Sequence, residues 1–180
     1  MTLRSNLPTE AQRWYLAYTF PKAEKKVQSK LEATGVESYL PLHEVIRTWS
    51  DRKKKLIVPL FPNYIFVYTS EQKRHELFAI KAFVKYVSFG GKPAIVNDSI
   101  IASLKSILKE NAEVSVIENI RVGTFVRITR GPFMGAEGMV INRNGKIRLI
   151  VQIDALQRAI AINISTNDVS PLYGDHIISM

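Results

Sequence analysis

Pro59-Leu60-Phe61-Pro62-Asn63-Tyr64-Ile65-Phe66-Val67-Tyr68 is the densest aromatic run in a chain of 180 residues, and its reading decides the fold. From Asn63 to Tyr68 nearly every residue is β-branched or aromatic, the chemistry of a strand. Proline cannot donate a ladder hydrogen bond, so Pro59 and Pro62 belong at the start or edge of that strand and not in its middle. Alternation predicts Phe61, Asn63, Ile65 and Val67 on one face and Pro62, Tyr64, Phe66 and Tyr68 on the other. Both faces therefore carry large apolar groups. One can fill the domain's own core, and the second must lie under a helix or be offered to a partner.

Working outward toward the N-terminus, residues 1–12 are polar, and Trp14 to Phe20 reads as a strand with Trp14, Leu16, Tyr18 and Phe20 on one side. Pro21 is placed to open a helix that Gly35 closes, with Ala23, Val27 and Leu31 as its buried stripe. Lys22, Lys25, Lys26 and Lys30 give that helix a basic outer face. Val36 to Leu40 is a second strand, ended by Pro41. Val45–Trp49 and Leu56–Leu60 read as the arms of a hairpin, and its predicted tip carries Arg52, Lys53, Lys54 and Lys55. Such a basic finger suits phosphate contacts that position a nucleic acid without reading its sequence.

Beyond the aromatic run, Ser70 is placed to cap a short helix from Glu71 to Ile80, and Val84–Phe89 reads as a strand turned by Gly90-Gly91. Asp98 or Ser99 caps a last helix whose apolar side is Ile100, Ile101, Leu104, Ile107 and Leu108. This order predicts an α+β domain over residues 12–110, an antiparallel sheet flanked by helices. Residues 111–119 lack periodicity and are read as a linker. Residues 120–175 then switch to short strands at Phe125–Thr129, Gly138–Asn142, Ile147–Ile153, Arg158–Asn163 and Val169–Leu172. With Asn144-Gly145 as a type I′ hairpin signal, they predict a small five-stranded β-barrel.

Composition narrows the class. Residues 1–112 hold 18 Lys and Arg against 10 Asp and Glu, a balance of +8, whereas residues 113–180 hold 7 against 6, or +1. The positive potential is concentrated in the first domain and points to a polyanion there, most simply a phosphate backbone. No cysteine is present, the segment Met1–Arg13 has no apolar core, and no apolar run reaches the roughly 18 residues of a membrane span. These features predict a cytoplasmic protein. His43, His75 and His176 form no metal-ligand spacing, and Gly131-Pro132-Phe133-Met134-Gly135 lacks the Gly-Lys-Ser/Thr of a phosphate-cradling loop. No Gly-x-Ser-x-Gly nucleophile elbow occurs. The expectation is a binding protein, not an enzyme, with no cofactor and no metal.

Taken together, Trp14-Tyr15-Leu16, then Phe61-Pro62-Asn63-Tyr64-Ile65-Phe66-Val67, then Gly131-Pro132-Phe133-x-Gly135 resemble the NusG-type transcription elongation factors over roughly residues 13–173. That family joins an N-terminal NusG domain to a C-terminal KOW domain. Pro59–Tyr64 and Ser88–Val96 look most like the specialised paralogues of the RfaH and UpxY kind; glycine usually stands at the Asn63 position in housekeeping members.

The resemblance implies a bacterial factor that rides on RNA polymerase, its first domain laying an apolar patch on the clamp helices of the largest subunit. The matching positions are Tyr18, Phe61, Pro62, Tyr64, Phe66 and Tyr86. It also implies contact with upstream or non-template DNA. The basic pair that RfaH uses for this falls on Phe20-Pro21 here, and Lys22, Lys25, Lys26, Arg74 and His75 are the nearest substitutes. The KOW domain of the family recruits the termination factor Rho or a small-subunit ribosomal protein. Here its turn is Arg130, Gly131, Pro132, Phe133, Met134 and Gly135. The β-branched run Ile147–Ile153 favours strands there over the helical hairpin that RfaH can form. A ribosome-associated, KOW-type RNA-binding protein is the second reading, and it would need basic residues where Phe61 and Tyr64 stand.

Overall fold

The computed structural model describes residues 11–49, 52–109, 115–117, 123–143, 146–164 and 168–172. Its elements run β1 (Arg13–Thr19), α1 (Glu24–Ala33), β2 (Glu37–Tyr39), β3 (Leu42–Thr48), β4 (Lys53–Pro59) and β5 (Tyr64–Thr69). A 3-10 helix (Lys73–Ala79) follows, then β6 (Phe83–Tyr86), β7 (Ser88–Phe89), β8 (Lys92–Pro93), β9 (Ile95–Val96) and α2 (Asp98–Lys109). The C-terminal strands are β10 (Ser115–Ile117), β11 (Thr124–Ile128), β12 (Glu137–Arg143), β13 (Lys146–Ile153), β14 (Arg158–Asn163) and β15 (Val169–Pro171). The result is a mixed helix and strand architecture built on antiparallel sheets.

The first sheet has the order β2-β5-β1-β6, with β9 also pairing β1. β1 and β5 run antiparallel from Arg13↔Thr69 to Tyr18↔Tyr64. This register sorts the two apolar faces. Tyr15, Ala17, Ile65 and Val67 pack under α1 and the 3-10 helix with Val27, Leu31 and Leu77. Trp14, Leu16 and Phe66 pack on the other side with Ile101, Leu104 and Ile107 of α2. The second apolar face thus lies largely under a helix.

The aromatic run itself divides into three parts. Pro59 ends the peripheral strand β4, Leu60 to Asn63 make a turn, and β5 begins at Tyr64. Tyr64 N–H donates to the Phe61 carbonyl at 3.2 Å, and Asn63 has φ of 72°. The turn breaks the alternation, so Phe61 joins Phe66 in the α2-side cluster and not Ile65 on the opposite face. Asn63 N–H donates to Glu24 Oε1 at 2.7 Å, a carboxylate that is 5% exposed in the first turn of α1. One buried side chain therefore ties the helix start to the turn.

Helix α1 starts later than its sequence suggests. Pro21 and Lys22 lie in a turn ahead of it, and Lys22 takes φ of 61°. Its end is the predicted one: Val36 N–H reaches the Leu31 carbonyl at 2.9 Å and Gly35 N–H the Glu32 carbonyl at 3.0 Å, a Schellman cap. Ser70 Oγ accepts from Lys73 N–H at 3.3 Å, capping a helix that is 3-10 in type.

The C-terminal region contains all five predicted strands within a residue or two, plus one the sequence did not announce. Ser115–Ile117, inside the stretch read as a linker, pairs with β14. The sheet therefore has six strands, in the order β10-β14-β13-β12-β11-β15, and its two ends do not pair with each other among the described residues. The expected five-stranded closed barrel is corrected to this open order. The Asn144-Gly145 turn lies outside the described residues.

The C-terminal sheet packs on the outer side of α2. Val126, Ile128, Leu149, Val151, Ile153, Ile160 and Ile162 belong to the same apolar cluster as Leu104 and Phe66. Ser103, fully buried in the middle of α2, accepts from Glu137 N–H at 2.9 Å. Helix α2 is thus shared by both sheets.

The Asn63 turn generates a stability test. Asparagine tolerates positive φ better than any branched residue. Asn63→Gly should leave the urea midpoint nearly unchanged, while Asn63→Val should cost about 1 kcal/mol or more. Equal midpoints for the two variants would mean that the turn does not hold this conformation in solution.

Candidate functional site

Burial and facing divide the six aromatic-patch residues expected from the sequence. Tyr18 and Tyr64 are directly paired across β1 and β5, with ring centroids 5.2 Å apart in an edge arrangement. Both are half-buried, and Pro62 beside them is exposed. Lys85, the cross-strand neighbour of Tyr18, joins Val87 and Ser88 in lining a shallow cleft with the two tyrosines. The pair closes the β1–β5 ladder, and Phe20, two residues beyond Tyr18, is 55% exposed.

The other three residues lie elsewhere. Phe61 and Phe66 are 1% and 0% exposed and belong to the core under α2. Tyr86 is buried on the opposite face with Tyr15 and Phe83, and its hydroxyl donates to the Arg74 carbonyl at 3.0 Å. Burial raises its pKa, keeping the phenol a neutral donor. The surface is therefore Tyr18, Pro62 and Tyr64, with Lys85 and Val87 added. Those two were missed because the strand over Val84–Phe89 was read without a register against β1.

The basic residues fall into three groups. Lys25 and Lys26 are exposed on α1, with Lys22 exposed in the turn before it. His75 is exposed on the 3-10 helix, whereas Arg74 is half-buried with Glu71 3.9 Å away. The third group is the β3–β4 ribbon, a two-stranded sheet separate from the main one. Here Lys53, Lys54 and Lys55 are strand residues, not part of a loose tip, paired with Thr48, Arg47 and Ile46. Alternation sends Lys53 and Lys55 to one face and Lys54 to the other. Lys55 Nζ sits 2.8 Å from Glu44, so its charge is already partnered. His43, at the ribbon's base, is half-buried, and the loss of water lowers its pKa below the usual histidine value.

At the C-terminal turn, Gly131 and Gly135 take φ of 80° and 89°, the left-handed region that glycine enters without penalty. Gly135 N–H donates to the Ile128 carbonyl at 2.8 Å, and Met134 N–H to the Gly131 carbonyl at 3.2 Å. Phe133 folds back, half-buried, against the core. Met134 is the exposed apolar group, at 66%, flanked by exposed Arg130 and Pro132. Ser106 Oγ of α2 donates to the Met134 carbonyl at 3.4 Å, so the turn rests beside that helix.

Among the described residues, no group of three or more histidine, aspartate or glutamate side chains is placed to hold a metal ion. No described helix is long and apolar enough to cross a membrane.

Comparison with known proteins gives this architecture a family. The family described as "Transcription termination factor nusG" matches residues 12–105, more than half of the chain. The chain belongs to this family of transcription factors. It is 28% identical over 180 residues to the transcription termination/antitermination protein NusG of Staphylococcus epidermidis, covering 90% of this chain and 97% of that protein. The protein of the same description from Staphylococcus aureus is 27% identical with the same coverage. A solved structure described as "Domain interaction in Thermotoga maritima NusG" is 25% identical, covers 91% of this chain and 98% of its own, and aligns with a TM-score of 0.46.

The division of the aromatics is directly measurable. Phe66→Ala should lower unfolding free energy by about 3–5 kcal/mol, the usual result of emptying a buried phenylalanine site. Tyr64→Ala, at a half-exposed strand end, should cost well under half of that in urea unfolding. Comparable losses would place Tyr64 in the core.

Proposed function

We propose that this chain is an elongation and antitermination factor that binds RNA polymerase through the Tyr18–Tyr64 end of its first sheet. The observation that carries the reading is the pair of half-exposed, edge-packed tyrosines beside exposed Pro62, at the edge of an otherwise covered apolar face. Aromatic anchors ringed by polar groups are the usual centres of binding energy. Lys85 at the rim adds a cation that would suit an acidic partner helix. The clamp helices of the largest polymerase subunit are the partner that the family resemblance nominates, and the mechanism is a mechanical one. A factor bridging the cleft holds the clamp closed around nucleic acid, which opposes pausing and delays termination.

Two further elements support the same reading. The exposed lysines of α1 and the β3–β4 ribbon provide phosphate contacts for upstream or non-template DNA. The Arg130–Gly135 turn, with Met134 outward, provides a second contact for Rho or a small-subunit ribosomal protein. Assignment to the specialised paralogues is part of the proposal and rests on the Asn63 and Ser88–Val96 resemblance.

Tyr18→Ala and Tyr64→Ala should each weaken retention of purified RNA polymerase by about 1 kcal/mol or more, with the folded fraction unchanged. A paused-elongation assay should show a matching loss of read-through. Recovery of ribosomes instead of polymerase from lysate, unaffected by these substitutions, would favour the ribosome-associated reading.

Replacing Lys53, Lys54 and Lys55 together by glutamine should flatten the log–log salt dependence of DNA binding by about two units, from roughly one unit per phosphate contact with Lys55 already paired to Glu44. An unchanged slope would show that the ribbon does not meet phosphates.

A further inference from the structure

The β3–β4 ribbon carries a feature that phosphate contacts do not use. Trp49 is 55% exposed, whereas the chain's other tryptophan, Trp14, is 5% exposed in the core. Trp49 N–H donates to the Arg52 carbonyl at 2.8 Å, which continues the β3–β4 register by one pair beyond Thr48↔Lys53. Side chains alternate along both strands, so Trp49 and Arg52 share a face with the cross-strand pair Arg47 and Lys54. Arg47 and Lys54 are both exposed. The end of a ribbon that stands apart from the main sheet thus presents one large aromatic plane with three cations on the same face.

An exposed indole adds nothing to the core of a two-stranded ribbon, and it offers a partner a large flat surface with a polar edge. The surrounding charge identifies the class of partner. Five cations, Arg47, Arg52, Lys53, Lys54 and Lys55, stand against two acidic residues, Glu44 and Asp51, between positions 42 and 59. A polyanion is favoured over an acidic protein helix because Arg47 and Lys54 separate Trp49 from the next apolar pair on its face, Val45 and Leu56, and the exposed Ile46 and Ile57 lie on the opposite face. Among polyanions, a duplex offers its phosphates but hides its base planes, while a single strand offers both.

We propose that the tip of this ribbon grips single-stranded nucleic acid, with Trp49 stacking on an unpaired base while Arg47 and Lys54 hold the adjacent phosphates. The inference rests on the proposed role as a transcription factor but engages a surface distinct from Tyr18 and Tyr64. It adds a contact to bases where the lysines alone would contact only the backbone. Stacking on an aromatic plane tolerates any base, so the grip is largely independent of sequence.

The two tryptophans make the experiment direct, because Trp14 is buried and Trp49 is the accessible fluorophore. Titrating the full chain with a short single-stranded oligothymidylate should quench tryptophan emission strongly, and the same strand in a duplex should quench it much less. Trp49→Ala should weaken binding of the single strand by roughly fivefold or more without altering the salt dependence. Trp49→Phe should restore most of that affinity while removing the fluorescence response. Both variants should retain RNA polymerase as the parent chain does, which separates failure here from failure of the Tyr18–Tyr64 reading. Unquenched emission on saturation with the single strand, or equal affinity of Trp49→Ala and the parent chain for it, would overturn the proposal. A Trp49→Ala chain that loses polymerase but binds the oligonucleotide normally would overturn it too, and would make the tip a protein contact.

Discussion

The antiparallel pairing of β1 with β5 is the constraint on which the rest of the molecule depends. Its register, from Arg13↔Thr69 to Tyr18↔Tyr64, sets large apolar side chains on both faces of the first sheet. A sheet with two apolar faces needs two layers of cover, and the chain supplies them from opposite sides in sequence. α1 and the 3-10 helix close one face around Ile65 and Val67, and α2 closes the other around Leu16 and Phe66. The covers differ in extent. The last aromatic pair of the ladder, Tyr18 and Tyr64, stays half-exposed, with Tyr64 packed against the α2-side cluster, so the candidate binding surface is a continuation of the core.

Helix α2 carries the constraint into the second half of the chain. Ile101, Leu104 and Ile107 are buried in a cluster that includes Leu16 and Phe66 on one side and Leu149 and Ile160 on the other. Ser103 lies between, fully buried, and its hydroxyl would be a liability in an apolar seam were it not bonded to Glu137 N–H. A polar group satisfied only by the neighbouring sheet makes this packing directional, since sliding the sheet along the helix would leave both partners unpaired. The Ser106 contact to the Met134 carbonyl fixes the same register one turn farther along α2.

Much of this was legible in the sequence because local chemistry and tertiary need agreed. Gly35 ends α1 where a left-handed cap residue is wanted, Ser70 caps the next helix, and the five C-terminal strands follow their β-branched runs. The misses have a common cause. Phe61 was assigned by simple alternation, but the positive φ of Asn63 inserts a turn that moves it to the other face. Ser115–Ile117 has too few residues to show a period, and it is a strand only because β14 offers it a ladder. Tyr86 matched a motif position, yet its facing follows from its pairing opposite Ala17, which puts it on the buried α1 face and which no local pattern reveals. The Asn63 turn is itself held by Glu24 and by Thr19 N–H at its carbonyl, so non-local contacts decide all three, and composition carries no record of them.

The same logic explains why the two candidate surfaces differ in kind. At Tyr18 and Tyr64 the aromatic rings brace each other and rest on a packed layer, which fixes their orientation before any partner arrives. Little side-chain entropy remains to be lost there on binding, the condition under which a small apolar patch can hold a large partner. The β3–β4 ribbon has no such support at its tip. It forms a sheet of its own, and its exposed cations and indole are presented on two strands only. A two-stranded ribbon with its side chains exposed at the tip lacks the packed layer that braces the tyrosines. On the proposed reading, the braced patch suits a protein surface of fixed shape, and the charged ribbon suits a strand of nucleic acid whose path varies.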